Sequence, residues 1–391
     1  MLLGLLLAVS LRAAHELVGT GVSPALSRDL GGDALLGWFF AAFSGASALG
    51  IFAGGALADR IGPARTFAAG LAGFALGMLA TGFAPTMRAV IAARTLEGFA
   101  AGMVSCVVSA VVMRAYDDAA RPRVLALLSA AWVVPGLLAP TVAVMAAARF
   151  GWRAVFLSLV PLVGVAALLA LPRLLRERRT EGAAVRAESP LRVLRDAELR
   201  AALATRACVV IAFFGVEAFL PLAYERVLGA SKLQYGALLT LSALFWTAGA
   251  FAQARWNARL SPSAFARLGA LALTLGIAFA AAALAGRVSI EAALAGWSLA
   301  GLGMGVAYQA ATAAAMRTSV AGNEGATSAV LGITDALSIS LATSLCGAFL
   351  AHAALAPGVT PNALLTGFAL VTAAGLVSLA TARRLPVAAR G

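Results

Sequence analysis

The sequence predicts an all-α membrane protein: twelve transmembrane helices in two pseudo-symmetric six-helix bundles. Three observations lead there. Of 391 residues, 61% are hydrophobic and 12% charged, and mean hydropathy is +0.92, so polar side chains are too few to coat a soluble domain of this length. Twelve apolar stretches have the roughly 20 residues a helix needs to cross ~30 Å of hydrocarbon. The chain also repeats. The charged turn from Gly55 to Arg65 returns 199 residues later as a worn copy, Asn257 to Pro262, with Arg60 on Arg259 and Pro63 on Pro262. That offset carries Gly50 to Gly249, Gly70 to Gly269 and Gly77 to Gly276, while an offset of 203 carries Gly98 to Gly301 and Gly102 to Gly305.

Each helix is delimited by the loop that follows it. Leu2 to Leu26 contains a run resembling a signal-peptide core, but no basic residue precedes it and the apolar stretch continues, so it reads as a retained first helix. Ala34 to Leu57 ends at Asp59 and Arg60, Thr66 to Ala84 before Arg88, and Met87 to Met113 at Arg114. Val124 to Ala147 precedes Arg149 and Arg153, and Ala154 to Leu175 runs into the polar linker 176–198. The second half mirrors this with Leu199 to Tyr224, Leu233 to Trp256, Ala264 to Ala285, Ile290 to Met316, Ala326 to Leu350 and Ala363 to Ala382. The domains are therefore 1–175, an N-terminal bundle, and 199–391, a C-terminal one, joined by 176–198. Within the linker, Leu191 to Leu199 has the pattern of an amphipathic helix lying on the inner leaflet.

The formal charge of +13 would suit nucleic acid binding, but its distribution does not. Of 30 Lys and Arg, 20 fall in or beside alternate loops and seven in the opposite loops. This asymmetry is the positive-inside bias, which places both termini and the linker in the cytoplasm and leaves no call for nucleic acid. Cys106, Cys208 and Cys346 all lie in predicted helices, with neither a disulfide framework nor a metal-ligand spacing, and read as packing residues.

Several segments carry a family resemblance. Gly55-Ala-Leu-Ala-Asp59-Arg60-Ile-Gly62 resembles the loop signature of the major facilitator superfamily between helices 2 and 3, although Pro63 and Ala64 replace its usual basic pair. Arg94-Thr-Leu-Glu97-Gly98 with Gly102 is similar to the helix-4 signature of the drug:proton antiporter branch, with Glu97 where Gln is usual. Pro135-Gly136 through Ala139-Pro140, ahead of Gly151-Trp152-Arg153, looks like a degraded helix-5 antiporter signature. Phe213 to Pro221, with Glu217, resembles helix 7 of actinobacterial multidrug exporters. The resemblance implies alternating access in a bacterial cytoplasmic (inner) membrane, with helices 1, 4, 7 and 10 lining a central cavity. Small amphipathic molecules, protons and the bilayer would be the partners of a monomer driven by the proton gradient, with no cofactor and no metal.

Ionisable groups inside the bilayer are costly and mark mechanism by default. Glu16, Glu97, Glu217 and Asp335 qualify as proton or cation sites, with Arg94 beside Glu97. Glu16 and Glu217 are 201 residues apart and so equivalent; Asp335 is the repeat mate of Trp132. Arg12 and Arg94 stand one turn before Glu16 and Glu97, so those two acids are either static ion pairs or proton carriers. Glu217 and Asp335 have no basic neighbour within a turn of their own segments and are the expected proton sites. His15 points about 100° from Glu16 on the helix and reads as a packed interfacial residue.

Trp38, Phe39, Phe43, Trp132, Phe214, Phe245, Trp246 and Tyr308 fall on segments the resemblance assigns to the cavity, where aromatic faces and carboxylates suit lipophilic, often cationic molecules. In the first loop, Asp59 with Arg60, between Gly55 and Gly62, would latch against Arg114, Arg121 or Arg123 in one state and release in the other. The sequence thus reads as a proton-coupled antiporter exporting lipophilic or cationic compounds, with a dedicated exporter of one metabolite or lipid as the alternative. An enzyme would need a nucleophile with its base or a paired-histidine metal set, and His15 and His352 are the only histidines. A receptor would need more cytoplasmic tail to signal with.

Overall fold

The computed structural model describes residues 1–116, 121–176, 196–257, 259–318, 324–353 and 361–385. Among them, twelve helices are long and apolar enough to cross a membrane: α1 Leu2–Leu30, α2 Asp33–Ile61, α3 Pro63–Gly82, α4 Met87–Ala115, α5 Val133–Phe150, α6 Trp152–Arg176, α7 Ala197–Leu228, α8 Lys232–Trp256, α9 Pro262–Leu284, α10 Ile290–Arg317, α11 Glu324–Ala353 and α12 Pro361–Ala382. The linker's amphipathic pattern and Ala258 fall largely or wholly outside the described residues.

Helix ends follow local chemistry. Gly62 turns the chain at φ +91°, a conformation that disfavours any side chain, and Pro63 then opens α3 with its φ already set. The Thr86, Ser261 and Ser289 hydroxyls accept the first free N–H groups of α4, α9 and α10, and Ser231 with Gln234 forms a capping box on α8. Asp196 accepts from the N–H groups of Glu198 and Leu199 at the start of α7.

Two expected helices are interrupted, each by a proline. Instead of one helix from Val124 to Ala147, a short helix Arg121–Ala130 is broken at Ala131 and Trp132 before α5. Pro135 has no N–H to offer the Ala131 carbonyl four residues back. The Ser10 hydroxyl of α1 donates to that carbonyl instead, at 2.9 Å. In α7 the break falls at Ala218 and Phe219, between Ala197–Glu217 and Leu220–Leu228. Pro221 cannot offer an N–H to the Glu217 carbonyl there.

The chain forms two compact units, one of Met1–Gly32 with the chain from Ala42 through α6, the other of Asp33–Ala41 with α7 to α12. In the first, α1 packs on α5 and α6, and α3 on α4 and α6; in the second, α7 packs on α11 and α12, and α9 on α10 and α12. Each pairing becomes its counterpart on adding six to the helix number. The correspondence extends to single glycines. A Cβ on Gly98 or Gly102 would strike the carbonyl of Phe43 or Ser47, and one on Gly301 or Gly305 the carbonyl of Ser242 or Trp246. The offsets of 199 and 203 read from the sequence therefore map backbone contact onto backbone contact.

Candidate functional site

In the first unit, α1 and α4 bury a charged cluster among aromatic rings. Glu97 is fully buried and Arg94 1% exposed. A Cβ on Gly77 of α3 would collide with the Glu97 side chain, so that glycine makes the room it occupies. Glu97 Oε2 is 3.2 Å from Arg94 Nη1 and 3.1 Å from His15 Nε2, while Thr81 of α3 donates to Oε1 at 2.6 Å. Arg94 Nη1 lies 3.2 Å from each ring nitrogen of His15, and its guanidinium carbon 4.3 Å from the Phe43 ring centroid. Phe43, Phe74 and Phe156 surround the His15 ring. The intrahelical pair of Arg94 and Glu97 is present, but as part of a tertiary network. His15, expected as an interfacial residue, is fully buried in it: the ring that points away from Glu16 points towards α4.

In the second unit, Arg206 of α7 meets Asp335 of α11. Its Nε and Nη2 each donate to one carboxylate oxygen at 2.7 Å, a two-pronged pairing. Tyr308 of α10 donates its hydroxyl to Asp335 Oδ2 at 2.9 Å. Arg206 also donates to the Thr312 and Tyr308 hydroxyls, and its guanidinium carbon sits 3.7 Å from the Tyr308 ring centroid. The Arg206 side chain is 6% exposed and that of Asp335 21%. From Tyr308 a line of rings continues through Trp246 at 5.7 Å and Phe214 at 6.0 Å to Phe213, which stacks on Trp297 at 5.1 Å.

Asp335, which has no basic neighbour within a turn of its own segment, takes its counter-charge from another helix. Arg206 was not singled out by the sequence reading, though the 30 basic residues less the 27 in loops leave Arg12, Arg94 and Arg206 inside spans. Arg12 donates to Ser105 of α4 and lies 5.9 Å from the Trp132 ring centroid. Ser105 and Trp132 are the repeat mates of Tyr308 and Asp335, so an arginine from the first helix of each half reaches corresponding neighbours from positions two turns apart.

The remaining predicted residues are dispersed. Glu217 is 6% exposed at the break in α7, and Glu16 is partly buried on α1, close enough to act electrostatically on Arg94. Phe214, Trp246 and Tyr308 join Asp335 in one cluster and Phe43 joins Arg94, while Trp38 is 60% exposed. At the expected latch Asp59, Arg60 and Arg123 are exposed, and the side chain of Arg114 is outside the described residues. A Cβ on Gly55 would meet only Cys106 Sγ at an ordinary 3.6 Å. Close backbone approach on this helix is made by Gly50 and Gly54, which press on α4.

Residues 4–343 match the model of the Major Facilitator Superfamily. The fatty acid resistance protein FarB of Neisseria gonorrhoeae is 29% identical over 179 residues, 46% of this chain and 35% of that protein. The multidrug export protein EmrB of Escherichia coli K12 is 27% identical over 181 residues, again 46% of this chain and 35% of that protein. The chain thus spans about a third of the length of these curated relatives. A crystal structure of a D-xylose-proton symporter superposes with a TM-score of 0.79 at 15% identity, covering 99% of this chain and 97% of the other, which shows a shared fold. With twelve apolar helices among the described residues, a repeated bundle and this match across most of its length, the chain is a multi-pass membrane protein and belongs to the Major Facilitator Superfamily.

Proposed function

We propose that the protein exports small lipophilic, amphipathic compounds in exchange for protons by alternating access, from a bacterial cytoplasmic membrane with both termini inside, as a monomer. The observation that carries this reading is Asp335: a carboxylate at bilayer depth, partly accessible, held by an arginine fork and a phenol that can release it. Proton coupling is assigned to this group, with Glu217 at the break in α7 as the second candidate. Glu16, Glu97 and Arg94 are proposed to modulate the same step. The names of EmrB and of other relatives called multidrug-efflux transporters support the export of chemically varied compounds. FarB's name favours the second reading, a dedicated exporter of one lipid or metabolite. At the cytoplasmic rim, Gly55 to Gly62 with Arg114 and Arg123 is proposed to gate, so Asp59→Asn is expected to slow turnover and leave substrate affinity unchanged.

Efflux of a dye panel from everted vesicles, with and without an imposed pH gradient, tests the reading. Asp335→Asn and Glu217→Gln are each expected to abolish gradient-driven flux while the purified proteins remain folded, with cooperative thermal unfolding. Gradient-driven flux at the original rate in both well-folded variants would overturn proton coupling through these acids.

A further inference from the structure

We propose that in the second unit Arg206, with Tyr308 and Thr312, recognises the head group of an anionic ligand, a carboxylate carried on an apolar or aromatic tail. The inference deepens the export reading by naming the sign of the head group.

Asp335 shows what the site accepts. Its two oxygens take the side-on fork of Arg206, Nε to one and Nη2 to the other at 2.7 Å, and one of them also takes the Tyr308 hydroxyl at 2.9 Å. A planar anion with two oxygens satisfies that arrangement, which is the geometry guanidinium groups select. Asp335 is not alone in holding Arg206 in place. The guanidinium group lies on the Tyr308 ring and donates to the Thr312 hydroxyl, and both residues belong to α10, not to α11. The recognition surface thus persists when the acid swings away. The acid is the more accessible partner, 21% exposed against 6%, on a short side chain whose rotation removes it from the fork.

The electrostatics select for charge sign. Exchanging the Asp335 carboxylate for that of a ligand keeps the buried arginine paired throughout, so little net charge is desolvated. A neutral head group that displaced Asp335 would leave Arg206 short of an anion, and a cation would face the guanidinium directly. The tail has a path. Tyr308, Trp246 and Phe214 are each partly accessible, their rings in successive contact, whereas Phe213 and Trp297 beyond them are sealed. The His15, Arg94 and Glu97 cluster of the first unit offers no such opening, since its members are 1% exposed or less.

The full-length protein in phosphatidylcholine nanodiscs, with no pH gradient, is titrated with phenylbutyrate, phenylbutyramide and phenylbutylammonium, three probes sharing one tail. Phenylbutyrate is expected to bind at least about tenfold more tightly than either of the others, the scale of one charge-assisted hydrogen bond. Asp335→Asn, which removes the internal competitor, tightens phenylbutyrate binding, while Arg206→Gln abolishes the preference for the anion and Arg206→Lys, retaining charge without the fork, keeps only part of it. Equal binding of the three probes in both the unmodified protein and Asp335→Asn overturns the site, as does Asp335→Asn weakening phenylbutyrate in a protein that still unfolds cooperatively. Because binding is read without a gradient, absence of pH-driven export by the unmodified protein beside intact anion preference sinks the coupling reading alone, and pH-driven export without any anion preference sinks this one alone.

Discussion

The two units share a scaffold and differ in charge. At positions equivalent to His15, Arg94 and Glu97 in the first unit, the second has Val216, Trp297 and Ala300, and its stacked rings of Phe213 and Trp297 lie where the first carries Arg12 and Arg94. Conversely, the Arg206, Tyr308 and Asp335 of the second unit correspond to Leu5, Ser105 and Trp132. Gly98 and Gly102 are retained as Gly301 and Gly305, because a Cβ at any of the four collides with a carbonyl of the neighbouring helix. The buried charges are not, since a cluster of ionisable groups can be exchanged for packed rings without moving a helix axis. The contrast separates what the fold requires from what each half does with it: the first unit's cluster is closed off within its core, the second's is partly open.

The strongest way to break that distinction is to strip the closed cluster of one charge. Arg94→Met strands Glu97 and is expected to destabilise the protein by about 3–5 kcal/mol, whereas Arg94→Met combined with Glu97→Gln removes both charges, keeps an acceptor for Thr81 and costs less than half as much. Thermal unfolding of the purified variants measures both; a single variant as mild as the double shows that the cluster is not a buried ion pair. In the partly open cluster, Asp335→Asn is expected to lower stability by less, about 1–3 kcal/mol, because solvent and hydroxyl partners remain to Arg206.

The shared scaffold makes a matched prediction. Gly98→Ala and Gly301→Ala push a methyl group into the Phe43 and Ser242 carbonyls, and each is expected to cost about 1–3 kcal/mol, similarly in the two halves. A large effect in one half and none in the other, by the same unfolding assay, would show that the repeat is sequence history without shared packing. The smallest effect belongs to a device of the first unit, where Ser10 supplies the donor that Pro135 lacks. Ser10→Ala is expected to cost about 1 kcal/mol, and Pro135→Ala in that background to recover part of it by restoring an N–H for the Ala131 carbonyl. No recovery would mean that the hydroxyl, not the proline, sets the break before α5.

The sequence by itself determined the twelve spans, the duplication and its glycine register, because bilayer thickness and backbone contact act on length, hydropathy and the absence of a side chain, all of which are written along the chain. It also singled out Glu97, Glu217 and Asp335, since an acid inside an apolar run is conspicuous wherever it folds. Only the tertiary structure decided their partners. Arg206 stands 129 residues from Asp335 and His15 stands 79 from Arg94, separations over which no helical period carries information. The helix breaks at Ala131 and at Ala218 were marked in the sequence by Pro135 and Pro221, but what satisfies the first was not, because the Ser10 hydroxyl reaches it from 121 residues away. A buried charge is neutralised by whatever packing brings within about 3 Å of it, and that is settled by which helices touch.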